Sequence, residues 1–307
     1  MKNVRYLLVI QRAAAMFMIL TAAVSASADL KIVKQADGLA VQRDGRAIVT
    51  QVARADFRPY LHPIIAPDGK GEVTEFSPGH HKHQTGLYWG FTRVNKRDHF
   101  HHPGDNYFKR QAVNVLTGSG GSVSWRVVYD LLDAQGKPVL TETKTWSLRD
   151  HGGHYALDLT WSGRAPAEVT IGKYAYGGLF LRMPWKRGIQ GAAINSAQQT
   201  NGAAEGQRAK WVDVGMQVKG RKDLAHIVIM DHPDNPGYPT PWRVDGQLGV
   251  GPCYARLGDW KITAGKTATF RHRLLIYTGA KNDDLIGEAW ADHIKGAKNL
   301  AKRTPDQ

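Results

Sequence analysis

The 307-residue sequence predicts an all-β fold, a large antiparallel β-sandwich with one C-terminal helix. Three observations predict it. Apolar residues recur with period two in long runs, turn signals separate those runs, and a 3.6-residue period appears once, near the end. In Val123, Trp125, Val127, Tyr129 and Leu131 every second residue is large and apolar. Tyr155, Leu157, Leu159 and Trp161 repeat the pattern, with His154, Asp158 and Thr160 on the other face.

Taken along the chain, the elements are these. Lys2, Arg5 and Arg12 precede an apolar stretch, Ala13 to Val24, that closes on Ala26-Ser27-Ala28. This is the pattern of a cleavable signal peptide over 1–28, with cleavage after Ala28 and a periplasmic or secreted mature chain. The stretch is too short to span a bilayer of about 30 Å comfortably. Strand-like runs follow Leu30, separated by turns at Asp44-Gly45, Pro67-Asp68-Gly69, Gly118–Gly121, Gln135–Pro138 and Ala264–Lys266. Gly177–Arg182 reads as a strand with Arg182 opposite Leu179 and Leu181, and Ala225–Met230 as a buried one. Phe270, His272, Leu274 and Ile276 form the last strand. From about 283 to 302, Ile286, Trp290, Ile294 and Ala297 recur at helical spacing, with Asp283 and Asp284 suited to the N-terminus. No low-complexity linker or internal repeat interrupts 29–307, which reads as one domain.

Composition narrows the function. Lys and Arg number 41 against 27 Asp and Glu, a net charge of +14, or about +11 without the leader. The cations are scattered in pairs, which disfavours nucleic acid and suits an acidic ligand or an anionic envelope. The single cysteine, Cys253, allows neither an internal disulfide nor a cysteine zinc site. Ala264-Gly265-Lys266-Thr267 resembles the end of a phosphate-binding loop, but Trp260 replaces its first glycine and a strand follows. There is no G-x-S-x-G elbow.

Six of the 13 histidines fall between His80 and His102. In an extended segment His81 and His83 share one face, as do His99 and His101, with alternate side chains about 7 Å apart. Such imidazoles can hold zinc or copper, with His81, His83 and His101 as the ligand set. They can also act as a general acid and base near neutral pH. The plain alternative is a polar loop. Arg182 asks for an anionic or polyhydroxyl partner. Asp231 and His232 open a turn that contains Asn235 and offer further catalytic groups. Trp89, Trp211 and Trp242, with His62, Arg208 and Asn235, are candidate sugar contacts, indoles being suited to stacking on sugar rings.

These residues occur in a recognisable order: His62-Pro63, His81-x-His83-Gln84-Thr85-Gly86-Leu87, Gly178-Leu179-x-Leu181-Arg182, Asn201-Gly202, Arg208-x-x-Trp211-x-Asp213, His232-Pro233-x-Asn235-Pro236, Pro241-Trp242 and Arg271-x-Arg273-Leu274. The set, from about residue 58 to 279, resembles the bacterial family labelled PmoA-like, or methane oxygenase PmoA. It departs from that family at His80, where Asp is expected, and at Thr85, where Arg is common. The resemblance implies a role beside sugar-oxidising enzymes. A membrane monooxygenase subunit is excluded, because no apolar span follows the leader.

The function expected is that of an exported carbohydrate-active enzyme, acting on a glycoside or keto-sugar by histidine acid–base or metal-assisted cleavage. The alternatives are a non-catalytic sugar-binding protein and a copper-binding, oxidase-related one. The sandwich can take the large galactose-mutarotase-like form.

Overall fold

The computed structural model describes residues 29–295 and 297. The leader expected over 1–28, and the part of the expected helix beyond 297, lie outside them.

Alternation builds two sheets, and every strand pairing in them is antiparallel. The first contains β1 (Leu30–Gln35), β2 (Gly38–Arg43), β3 (Arg46–Val52), β4 (Tyr60–Ile64), β5 (Leu87–Gly90), β7 (Ser119–Gly120), β12 (Gly178–Leu181), β16 (Trp242–Val244) and β17 (Val250–Pro252). Across the sheet they run β16-β17-β12-β5-β4-β3-β2-β1-β7. The second contains β6 (Phe108–Thr117), β8 (Ser122–Leu132), β9 (Pro138–Asp150), β10 (Tyr155–Arg164), β13 (Gly191–Asn195), β14 (Trp211–Gln217), β15 (Leu224–Met230) and β19 (Thr267–Thr278). Its order is β13-β14-β15-β19-β10-β9-β8-β6. A small pair, β11 (Val169–Ile171) with β18 (Trp260–Ile262), stands apart. The expected sandwich is what forms.

The inner faces meet in one apolar core. Leu39, Val41, Leu61, Leu87, Trp89, Leu179 and Leu181 of the first sheet pack with Val123, Trp125, Leu157, Trp161, Ile229 and Leu274 of the second. Trp89 stacks on Trp161 at 4.7 Å between ring centroids, and the Trp125 indole N–H donates to Gln51 Oε1 across the gap. Strand β9 places an ion pair in this interior. Lys144 Nζ lies 2.5 Å from Glu142 Oε2, both residues at 3% exposure or less, and Glu142 also accepts from the Trp161 indole.

The outer faces are covered differently. Over the second sheet lies α1 (Asp283–His293), at the start of the segment expected to be helical. Asn282 caps it by accepting the Leu285 N–H, and Ile286 packs with Trp211, Val228, Met230, Leu275 and Tyr277. Over the first sheet lie loops. Alternation sends Tyr88 and Phe180 outward from strands whose other residues face the core, and with Tyr60 and Phe100 they form a second aromatic cluster. That cluster floors the site.

Candidate active site

The segment 76–86 is not extended, so the alternation expected for His81 and His83 does not apply. Ser77 takes a left-handed φ of 51°, and turns follow through residue 83. Gly86 ends the loop at φ +76°, where a Cβ would come within 2.6 Å of the Leu61 carbonyl oxygen. The loop folds back on itself, with Ser77 N–H donating to the Gln84 carbonyl. Residues 95–106 make a second loop, in which Asp98 Oδ1 accepts the backbone N–H groups of Phe100 and His101.

Arg58 joins the two loops. Its buried guanidinium donates to the Phe100 carbonyl at 2.5 Å, to the His83 carbonyl at 2.6 Å and to Thr85 Oγ1 at 3.2 Å. It also lies 3.8 Å from the centre of the Tyr88 ring. No carboxylate pairs with it among the described residues, and burial lowers it to about 10.

The loops, the floor and three further residues enclose a cavity of about 80 Å³. His81, His83, Gln84, Phe100, His101, Tyr176, Phe180, Arg243 and Asp245 line it. His83 and His101 have ring centroids 4.5 Å apart, and His81 is 5.7 Å from His83. The Tyr176 hydroxyl is 3.0 Å from His101 Nε2, and His101 Nδ1 is 2.7 Å from Asp98 Oδ2. This is a tyrosine–histidine–carboxylate chain in which the histidine uses both ring nitrogens.

Electrostatics separates the groups. Burial, then His101 and Arg58, hold His83 down at about 3, so its imidazole is neutral over the physiological range. Partial burial would raise Asp98, but hydrogen bonds from the His101 ring and backbone outweigh it and bring the carboxyl to about 2. Burial raises the Tyr176 phenol far above its ordinary range, so it ionises only as its proton moves to a partner.

Of the residues singled out in the sequence, the structure brings His81, His83 and His101 together, and Arg182 just behind them. Arg182 is fully buried and committed, donating to Gln84 Oε1, to the Gln247 carbonyl and to Asp245 Oδ2. It shapes the cavity without opening into it.

The others lie elsewhere. Asp231 spends its carboxylate on the loop after β15, accepting from His232 N, Asn235 Nδ2 and Thr240 N and Oγ1. Asn235 ties that loop to Arg271, and His232 packs on His293. Trp89 lies in the core against Trp161, Trp242 is buried with its indole donating to Ala209 O, and Trp211 packs under α1. None of the three indoles offers a free face to a sugar in the histidine cavity. Arg208 is exposed and holds the Gly237 carbonyl. His62 lines a separate, wider cleft.

Tyr176, Asp98, Arg58, Gln84, Arg243 and Asp245 also build the site, and no sequence pattern picks them out as a set. One signal was available: Asp98 stands three residues before His101, the spacing of a local carboxylate–imidazole pair.

Among the described residues no group of three or more His, Cys, Asp or Glu is arranged to hold a metal ion. His101 is committed at both nitrogens, and His80 Nδ1 bonds His81 Nδ1, which leaves His81 Nε2 and the His83 ring open to a ligand.

A large antiparallel sandwich with a histidine-lined cavity on the outer face of one sheet is the class these observations define. The chain belongs to DUF6807, a family of unknown function whose model matches residues 38–291. That membership overturns the resemblance to the PmoA family drawn from the order of motifs. No curated protein matches the sequence. Among solved structures, the GH36 α-galactosidase AgaB from Geobacillus stearothermophilus is similar over 82% of this chain, at 9% identity and a TM-score of 0.42. The match covers 41% of that enzyme, so this chain spans well under half its length. Galactose 1-epimerase from Lactobacillus acidophilus NCFM is similar over 82% of this chain and 98% of its own, at 8% identity and a TM-score of 0.39. A galactose mutarotase-like protein from Lactobacillus casei ATCC 334 gives 81% and 100%, 8% identity and 0.37.

Proposed function

We propose that the protein is an exported carbohydrate-active enzyme that cleaves a keto-sugar glycoside by proton abstraction and elimination. The observation that carries this reading is the Asp98–His101–Tyr176 chain, which opens into one cavity with the neutral imidazole of His83.

A carbonyl on a sugar ring acidifies the adjacent C–H. Tyr176 takes that proton as its own passes to His101 Nε2, and Asp98 stabilises the resulting imidazolium, as in other histidine–carboxylate pairs. Negative charge collects on the substrate carbonyl oxygen, where the His83 N–H and Arg243 can donate. A neutral imidazole does this without surrendering its proton. The enolate re-forms its carbonyl by expelling the glycosidic oxygen across the new C=C bond. Tyr176 returns a proton to that oxygen and recovers its own from His101. One proton is taken and one returned, and the chain is restored.

The test is turnover of a panel of 3-keto-glycosides between pH 5 and 9, by the wild type and by Tyr176→Phe and His83→Ala. Both variants should lose roughly 100-fold or more while remaining folded, the scale of an acid–base contribution. Saturable binding with no product at any pH would leave a sugar-binding protein. The second reading places zinc or copper on His81 Nε2 and His83, favoured by their 5.7 Å ring separation. Elemental analysis of the purified protein, with and without His83→Ala, decides it.

A further inference from the structure

A second concavity lies beside the histidine cavity and is far larger, about 970 Å³. That is at the upper end of the roughly 300–1,000 Å³ typical of ligand sites, too much for one sugar ring. Its wall is the other side of the hairpin that carries the histidines. Glu75 N–H donates to the Arg182 carbonyl, Ser77 N–H donates to the Gln84 carbonyl, and Phe76 bridges Thr85. At the mouth, His80 of the histidine loop packs edge-on against Trp185, between the cleft residues Pro184 and Lys186.

The lining has the mixture that sugars require. Phe76 is 40% exposed, and its ring is backed by Tyr60 at 5.2 Å and His62 at 6.0 Å. The stack fixes the ring and leaves its outer side open as a platform for sugar C–H groups. Around it stand Glu75 Oε2, which is shielded from solvent and has no hydrogen-bond partner among the described residues, and two cations, Lys186 and Lys219, the first of which acts electrostatically on the Glu75 carboxyl. A carboxylate oxygen that is buried and unbonded lacks a donor, and a sugar hydroxyl is one. Burial also raises Glu75 above the ordinary carboxyl range.

We infer that the cleft binds the remainder of a sugar chain whose reacting ring sits in the histidine cavity, so that the substrate is an oligosaccharide. The inference rests on the proposed chemistry of that cavity and adds the substrate class. Phe76 is the platform of the first ring beyond the bond that breaks, and Glu75 is its hydroxyl acceptor.

The experiment is calorimetric titration of the full chain with maltotetraose, cellotetraose, β-1,4-mannotetraose and β-1,4-galactotetraose, each against its monosaccharide. At least one tetrasaccharide should bind ten-fold or more tighter than its monomer, about 1.4 kcal/mol. Phe76→Ala and Glu75→Gln should each shrink that ratio several-fold, and circular dichroism checks that both variants are folded. The inference is overturned if no tetrasaccharide binds better than its monomer, or if the ratio survives Phe76→Ala. Failure of the cavity chemistry is distinct: it would appear as full turnover by His83→Ala and Tyr176→Phe, whatever the length preference.

Discussion

Replacing Asp98 by Asn tests the proton chain with little change in shape. The carboxylate accepts three hydrogen bonds: His101 Nδ1 at 2.7 Å, Phe100 N at 2.9 Å and His101 N at 3.0 Å. An asparagine oxygen still serves the two backbone groups, so the loop should hold. Its NH₂ then faces Nδ1, and two donors cannot share a hydrogen bond. The imidazole must move its proton to Nε2, which would donate to Tyr176 and could no longer accept from it. Both partners are about a third exposed, so losing the hydrogen bond from His101 Nδ1 to the carboxylate should cost only about 1 kcal/mol of stability. Catalysis should suffer far more, by roughly 10²–10⁴-fold, or about 2.7–5.5 kcal/mol of activation free energy. Proton–nitrogen correlation spectra of the His101 ring report the tautomer without needing a substrate. Asp98→Asn protein with Nδ1 still protonated, or with the tautomer switched and turnover intact, would refute the mechanism.

Three other outcomes follow from the same geometry. Trp89→Ala should cost roughly 3–5 kcal/mol in urea unfolding, the usual range for losing a core tryptophan. A loss of sugar affinity at unchanged stability would instead put Trp89 in the site. Lys144→Met should cost roughly 3–5 kcal/mol, because it strands the Glu142 carboxylate in the core, and adding Glu142→Gln should recover most of it. A double variant no more stable than the single one would show that the pair is not coupled. Finally, burial lowers His99 to about 4 from 6.5, so the native state binds fewer protons than the unfolded chain. The stability it contributes is complete above pH 6.5 and declines as pH falls to 4, by up to about 1.4 kcal/mol per pH unit. His83 acts in the same direction with a smaller effect, being partly exposed. Urea midpoints that stay flat from pH 7 to 4.5 would contradict this.

The sandwich was legible wherever one face of a strand is buried, as in Val123–Leu131 or Tyr155–Trp161. Strands hidden on both faces were harder to place. In Leu87-Tyr88-Trp89 and Leu179-Phe180-Leu181 every residue is apolar, and alternation alone cannot tell which ring faces the core and which the loops. That is why Trp89 was expected in the site, whereas Phe180 lines it with Tyr88 packed against that ring. Histidine clustering located the right loops, but the pairing depends on chain reversals at Ser77 and Gly86, which follow no period. Tyr176 and Arg58 come from segments remote in sequence, and only the fold brings them to His83 and His101. The core pair Glu142–Lys144 reads as a solvated face in sequence, because charged residues enter interiors only as partners.

Arg58 makes the candidate site a single transferable unit. The carbonyls of His83 and Phe100 share its guanidinium, so the spacing between the two histidine loops depends on this one side chain, although each loop also has bonds of its own. Transplanting residues 76–86 onto a related sandwich, without 98–103 and an arginine two positions before β4, would carry the imidazoles but not their spacing. Within the family, changes in these three segments should therefore arise together or be lost together. A designer altering specificity has more freedom in the wide cleft, where the ammonium groups of Lys186 and Lys219 make no hydrogen bond or salt bridge to the described residues.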